Sequence, residues 1–196
     1  ERFGGPEELR LMERPVPEPG HGEVLVQIRC AGLNFIDIYM RNGSYAKSHT
    51  YQTPLPMTIG MEGVGTVARL GAGVSGLKAG ERVGYYVVRG SYAEYAVVPA
   101  WRLVRIPDGV PDAEAAALML QGTTAHYLSH SAFPLAPGHS CLVHAGAGGV
   151  GQLLIQLAKL RGAMVIATAG APDKVAIARA MGADHVIDRK STRLNS

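Results

Sequence analysis

Two successive folding units are predicted: a small antiparallel β-barrel, then a parallel α/β domain that stops after its first three strands. Three observations carry this. Up to about residue 106 the chain is a series of short β-rich runs separated by glycine turns, the pattern of a compact barrel. Past Pro107-Asp108-Gly109 it becomes strand, helix, strand, helix, strand, which means βαβ units and a parallel sheet. The 196 residues are 47% apolar and 18% charged, enough to bury a core in one large or two small domains. The boundaries follow as 1–110 for the first unit and 111–187 for the second.

The elements follow in order. Pro15, Pro17, Pro19 and Gly20 make a turn-rich lead-in. Residues 23–31 alternate Val24, Val26 and Ile28 against Gln27 and Arg29, a strand of period two. Residues 34–40 read as a short helix with Asn34 as N-cap and Gly43 as terminator. Residues 62–70, 82–88, 92–98 and 103–106 are β-rich, with Gly71, Gly73, Gly76, Gly80 and Gly90 between them. Residues 112–131 are rich in Ala, Leu and Met and predict a helix capped by Asp112. A strand at 140–145 leads into a helix at 149–161, with an apolar stripe at Val150, Leu153, Leu154, Leu157 and Ala158 and Gly162 beyond its end. A strand at 163–168, a helix at 172–181 and a third strand from His185 complete the pattern.

Charge and cysteine content narrow the class. The net charge is +3, and two of those three charges fall in Asp188 to Ser196. No Lys/Arg stripe interleaves with aromatics, so nucleic acid is not the expected partner. No run reaches the roughly 18 apolar residues of a membrane span. Two cysteines, Cys30 and Cys141, cannot build a disulfide scaffold or a four-cysteine zinc site. With no apolar signal-like run at the start, a cytoplasmic setting is the expectation. Both ends read as cut. The stretch 188–196, D-R-K-S-T-R-L-N-S, has no apolar period, cap or turn logic and resembles a translated sequencing adapter, so a non-native tail is expected there.

The chemistry sits in the second unit. The strand residues Cys141-Leu142-Val143-His144-Ala145 run into Gly146-Ala147-Gly148-Gly149-Val150-Gly151, a G-x-G-x-x-G turn from strand to helix. Gly146 permits the tight turn, Gly148 lets backbone approach a pyrophosphate at the helix N-terminus, and Gly151 lets helix pack on strand. An NAD site would place an acid about 20 residues on, at the end of the second strand. Here that strand ends Ala167-Thr168-Ala169-Gly170, and Lys174 follows in the next helix. A carboxylate would repel a 2′-phosphate; small residues with a nearby cation accommodate one, so NADPH is the expected cofactor. Asp173 is read as serving the helix N-terminus. Lys174 read alone is a solvated lysine. His126, on an Ala-rich helix, reads as a packing residue, His144 as a polar support of the loop, and Cys141 as an inert buried thiol.

Four motifs in register resemble the medium-chain dehydrogenase/reductase superfamily, in its zinc-independent quinone oxidoreductase, or ζ-crystallin-like, branch. They are Ala31-Gly32-Leu33-Asn34-Phe35-Ile36-Asp37 with Arg41-Asn42-Gly43-Ser44-Tyr45; Gly60-Met61-Glu62-Gly63-Val64-Gly65; Gln121-Gly122-Thr123-Thr124-Ala125; and the glycine loop with His144. The resemblance implies a GroES-like β-barrel domain followed by a truncated Rossmann, doubly wound parallel domain. Zinc-dependent members carry Cys where Asn34 stands and His where Met61 stands, so no metal is implied here. A metal-free site suits acceptors that delocalise incoming charge: quinones and conjugated enones.

The resemblance further implies that Asn34, Tyr39 and Tyr45 line a catalytic cleft near the nicotinamide. Gln121 and Thr124 would hydrogen-bond NADPH, with Gly146, Gly148, Gly149, Val150, Gly151, Gly170 and Lys174 completing the cofactor site. Asn34 read from the residues alone is equally a helix cap, and Tyr39 equally a core residue. The expected function is NADPH-dependent quinone or enone reduction, with a homodimer for the full-length protein. An enoyl-thioester reductase and a non-catalytic, crystallin-like NADPH-binding protein are the alternatives. Relatives also carry a Tyr after the third strand for the 2′-phosphate, where this chain has Asp188-Arg189. Three strands are half of a six-stranded dinucleotide fold, so this chain alone is expected to be a poorly active fragment.

Overall fold

The computed structural model describes residues 2–51 and 53–190. The chain separates into two compact units, Glu1–Leu120 and Gln121–Ser196. In the first, strands β1 (Glu23–Ala31), β2 (Glu62–Leu70), β3 (Arg82–Tyr86), β4 (Tyr95–Pro99) and β5 (Val104–Arg105) form one antiparallel sheet in the order β4-β1-β2-β3-β5. No ladder joins β4 to β5 among the described residues, so the sheet is open where a closed barrel is expected from the glycine-punctuated runs. The short strands account for this. β5 has two residues between Leu103 and the Pro107 turn, and β3 stops at Tyr86, before Val87 turns to φ +57°. β1 carries register shifts at Leu25/Val26 and Ile28/Cys30.

Alternation along the strands puts one face in the core. Val24, Val26, Val67, Val83, Tyr85, Ala96 and Val98 are all buried and packed together. The short helix α1 (Phe35–Arg41) begins after Asn34, as the capping pattern requires. Helix α2 spans Asp112–His126 and continues as a π-helix over Tyr127–Ala132. Asp112, expected as a cap, is the first helical residue. Its carboxylate is taken instead by Arg82, at 2.6 and 3.0 Å, and by Arg29 at 2.8 Å. Ala115 and Ala116 of α2 pack on Val64 and Ile106 in a second small core.

In the second unit β6 (Ser140–Val143), β7 (Met164–Ala169) and β8 (His185–Asp188) pair in parallel, in that order. Helices α3 (Gly149–Leu160) and α4 (Pro172–Ala180) connect them. Ile155, Ala158, Val165, Ala167 and Ala178 form the core. The buried face of α3 is Gly151, Ile155 and Ala158, with Leu154 half-buried beside it. This is turned from the stripe read off the sequence: close contact at Gly151 sets the rotation, and Leu153 and Leu157 fall to its edges. β6 has β7 as its single partner among the described residues, and Leu142 on it is 54% exposed.

Among the described residues the Tyr85 hydroxyl is buried with no hydrogen-bond partner, and burial pushes its pKa far up. Tyr85→Phe should therefore raise stability by about 1 kcal/mol, the lower end of the cost of an unsatisfied buried donor. Urea unfolding midpoints check this, and a lowered midpoint would show that the hydroxyl has a partner. Asp112 is held below the usual carboxylate range, chiefly by its hydrogen bond from Arg82. A depressed folded pKa gives stability that is complete above the unfolded value of about 3.9 and is lost as pH falls through the folded one. Asp112→Asn should flatten that acid limb. Unchanged slopes in pH-resolved denaturation would refute the assignment.

Candidate functional site

The site residues fall in both units. In the first unit Asn34 sits at the head of α1. Its backbone N–H donates to Asp37 Oδ2 at 3.0 Å, and its side-chain amide donates to Glu62 Oε2 at 2.6 Å. Glu62 also accepts the Leu120 N–H at 2.5 Å, and Tyr92 Oη donates to Asp37 Oδ2 at 3.0 Å. Glu62 and Asp37 are 1% and 3% exposed. Burial pushes both carboxyls above their ordinary values, and the hydrogen bonds they accept pull against that. Asn34 is thus both helix head and network member. Glu62, Asp37 and Tyr92 were not singled out from the sequence as a network. The one available signal was a lone acid in an apolar, glycine-rich strand, Gly60 to Val64.

Tyr39 and Tyr45 come together. Tyr39 is 41% exposed and not core, and its ring meets Tyr45 edge-on at 5.8 Å. Phe35 at 6.3 Å from Tyr39 and Tyr51 at 5.1 Å from Tyr45 extend the group to four rings. These offset and edge-to-face arrangements are the favourable ones for aromatic quadrupoles. A helical spacing of four puts Phe35 and Tyr39 on one face; Tyr51 had no sequence signal.

In the second unit the glycine loop turns from β6 into α3. Gly146 donates its N–H to Thr168 O at 2.9 Å, which pins the loop to the end of β7. Ala145 sits just before it at φ +52°, a conformation L-residues rarely adopt. The Thr168 hydroxyl accepts the Ala145 N–H and meets His144 Nδ1, both at 3.3 Å. His144 thus supports the loop as expected. Gly148 is the N-cap of α3, exposed, and a Cβ there would meet only the Ala145 carbonyl, at 3.2 Å. At Gly151 a Cβ would overlap that same carbonyl and lie 2.9 Å from Gly146 Cα. The helix approaches the turn after β6 as closely as backbone allows, and the first N–H groups of α3 have no acceptor within the helix. Gln121 lies over Gly149, where its side chain occupies the space a Cβ would need. Thr124 is three residues on along α2, and Val150 opens α3.

At the far end of β7 stand Gly170 and the first turn of α4, with Lys174 exposed there beside Asp173. The Arg189 guanidinium lies where it would be 3.1 Å from a Cβ on Gly170. Arg189 belongs to the stretch expected to be a non-native tail; residues 191–196 of that stretch lie outside the described residues. Cys141 is half-buried against the core, and burial raises its thiol. His126, read as packing, is instead exposed, stacked on His130. Among the described residues no three His, Cys, Asp or Glu side chains gather as metal ligands, and no helix is long and apolar enough to cross a membrane.

Family models match both parts of the chain. The alcohol dehydrogenase GroES-like domain covers residues 20–108, and the zinc-binding dehydrogenase model covers 149–196. The chain belongs to the medium-chain dehydrogenase/reductase superfamily. It is 42% identical to a Pseudomonas aeruginosa quinone oxidoreductase over 95% of this chain and 56% of that one. It is 39% identical to the human synaptic vesicle membrane protein VAT-1 homolog, over 97% of this chain and 48% of the other. The structure of Escherichia coli quinone oxidoreductase complexed with NADPH superposes with a TM-score of 0.90 at 36% identity, over 96% of this chain and 57% of that one. The chain therefore spans about half the length of the curated relatives it matches. Its fold is that of the superfamily, a GroES-like unit followed by a Rossmann-like one.

The two glycines of the loop should respond differently to one methyl. Gly151→Ala forces α3 away from the Ala145-Gly146 turn and should cost about 1–3 kcal/mol, as overpacking does. Gly148→Ala should cost less, about 0.5–1 kcal/mol, because its Cβ would meet only the Ala145 carbonyl at 3.2 Å and alanine is a poorer N-cap than glycine. Thermal melts of the two variants decide it, and equal losses would show that the close approach is not where the geometry puts it.

Proposed function

We propose that the full-length protein is an NADPH-dependent reductase of quinones or conjugated enones that works without zinc. The observation that carries this is the end of β7: the dinucleotide loop is intact, but the strand itself closes on Ala169-Gly170 rather than on an acid, and Lys174 follows in the first turn of α4. The residues fit the cofactor. The exposed N-terminus of α3 would take the pyrophosphate, Gly148 leaves room for it, and the Gly170–Lys174 turn would take the 2′-phosphate. When bound, NADPH supplies the hydride. The chain's own residues bind, orient and shield it.

The metal-free reading rests on residue chemistry. Asn34 and Met61 stand at the positions where zinc-dependent relatives hold Cys and His, and neither offers thiolate or imidazole. The Glu62 carboxylate is spent on the Asn34 amide and the Leu120 N–H. Without a Lewis acid the acceptor must spread the incoming charge itself, as a quinone does when hydride and a proton make it a hydroquinone. Tyr39 and Tyr45 offer aromatic faces for a flat acceptor, and Asn34 is the polar group of the same unit. The reading extends to a cytoplasmic homodimer. A second reading, a non-catalytic NADPH-binding protein, is favoured by one observation: the VAT-1 homolog is named for its vesicle membrane and for no reaction.

Mixing the full-length protein with NADPH and 1,4-benzoquinone separates the two. Rapid NADPH oxidation supports the reductase, whereas tight binding without oxidation supports the binder. In the same protein Lys174→Ala should erode the preference for NADPH over NADH about tenfold to hundredfold, the worth of one charge-assisted hydrogen bond. Unchanged discrimination would make Lys174 a solvated lysine with no part in cofactor choice.

A further inference from the structure

We infer that His126 and His130 form a binding site for a late first-row divalent metal ion, separate from the dinucleotide loop. They sit four residues apart where α2 passes into the π-helix, so their side chains project on one face. Their imidazoles are stacked, 10° from parallel with centroids 4.1 Å apart. π-Helical turns are uncommon and occur frequently at functional sites.

A second observation concerns the buried group behind them. Ser129 is 1% exposed, and its hydroxyl lies 2.8 Å from Ala125 O and 2.8 Å from His130 Nδ1. A hydroxyl has one proton. Given to the Ala125 carbonyl, it leaves an oxygen lone pair that accepts from His130 Nδ1–H. That bond selects the tautomer whose Nε2 carries the free lone pair. Metal-binding histidines are held in this way, with the other ring nitrogen donating to a fixed oxygen. His126 is exposed, so its ring can turn out of the stack and bring a second nitrogen to the same ion.

Two neutral imidazoles and water select for imidazole-loving ions. Affinity at such nitrogen sites rises toward nickel and copper, and neither calcium nor magnesium competes. Two protein ligands leave the remaining positions to water, so the ion would exchange readily. This site is independent of the cleft reading, in which Asn34 and Met61 argue against zinc.

The untagged chain, stripped with EDTA, should be titrated with NiCl2 by calorimetry and with CuCl2 by electron paramagnetic resonance. One ion per chain is expected, with nitrogen couplings from two imidazoles in the copper spectrum. Ser129→Ala keeps both rings but removes the oxygen that fixes the tautomer, and should weaken binding about tenfold to hundredfold. His126→Gln and His130→Gln should weaken it at least as much and leave one-imidazole copper spectra. Circular dichroism on each variant checks that the helix persists. Binding that survives in both His variants would place the ion on one of the other five histidines and overturn the proposal. No nickel binding by the folded wild-type chain would overturn it as well.

Discussion

A buried carboxylate has to be answered by donors, and in the first unit that requirement organises the site. Glu62 opens β2, 1% exposed, where an unpaired charge would be prohibitive. Its two oxygens are taken by the Asn34 amide and the Leu120 N–H. One side chain therefore ties the loop before α1 to a turn of α2. Gly32 is part of the same solution, because any side chain there would occupy the space of the Glu62 carboxylate. Asp37 is answered at Oδ2 by the Asn34 N–H and Tyr92, while its buried Oδ1 lies within hydrogen-bonding geometry of no donor among the described residues. The orientation of Asn34 is thus set from two directions, by groups that would be costly to leave unmet.

The dinucleotide loop solves the opposite problem. Part of its backbone is tied to protein, with the Gly146 N–H on Thr168 O and the Gly148 N–H on Ala145 O, while the first N–H groups of α3 have no acceptor within the helix and remain for an anion. Thr168 supplies the pins, with its carbonyl on Gly146 and its hydroxyl on Ala145. Gln152 adds another, through Ala147 O at 2.9 Å. The left-handed Ala145 is the cost of turning the chain within so few atoms, and the contacts of its neighbours hold it there. Leu120, bonded to Glu62, is followed in sequence by Gln121, which covers Gly149.

The legible parts of the sequence were those governed by local rules. Alternation in residues 23–31, the cap at Asn34, and the G-x-G-x-x-G turn between a strand and a helix each depend on neighbours in the chain. The structure places them within a residue or two of the reading. What depends on distant partners was not legible. Glu62 meets Asn34 across 28 positions and Leu120 across 58, and Tyr92 meets Asp37 across 55. Asp112 read as a cap because nothing local reveals that Arg29 and Arg82 converge on it. The face of α3 is legible only in part for a related reason: Leu154 and Ala158 of the apolar stripe face the core, but Gly151, which has no hydrophobic signal, is buried against Gly146 and lies outside the stripe. His126 looked like packing because Ala-rich helices are usually buried, and its stacking on His130 became visible only with coordinates.

The carboxylates fall into two groups with opposite linkage signs, and this separates the site from the fold. Asp112 and Asp184 have lowered pKa values, the latter chiefly through its bonds from Lys159, so both favour the folded state until acid protonates them. Glu62 and Asp37 have raised values because burial outweighs the donors around them, so their ionised forms count against folding at neutral pH. A chain selected for stability alone would have little use for the second pair, since apolar residues could fill the same volume. Their retention makes sense where Asn34 must be held in one orientation: only an acceptor without a competing donor takes the amide N–H in one sense. The stabilising carboxylates lie on partly exposed ion pairs, whereas the costly ones surround the residue that the cleft reading needs fixed.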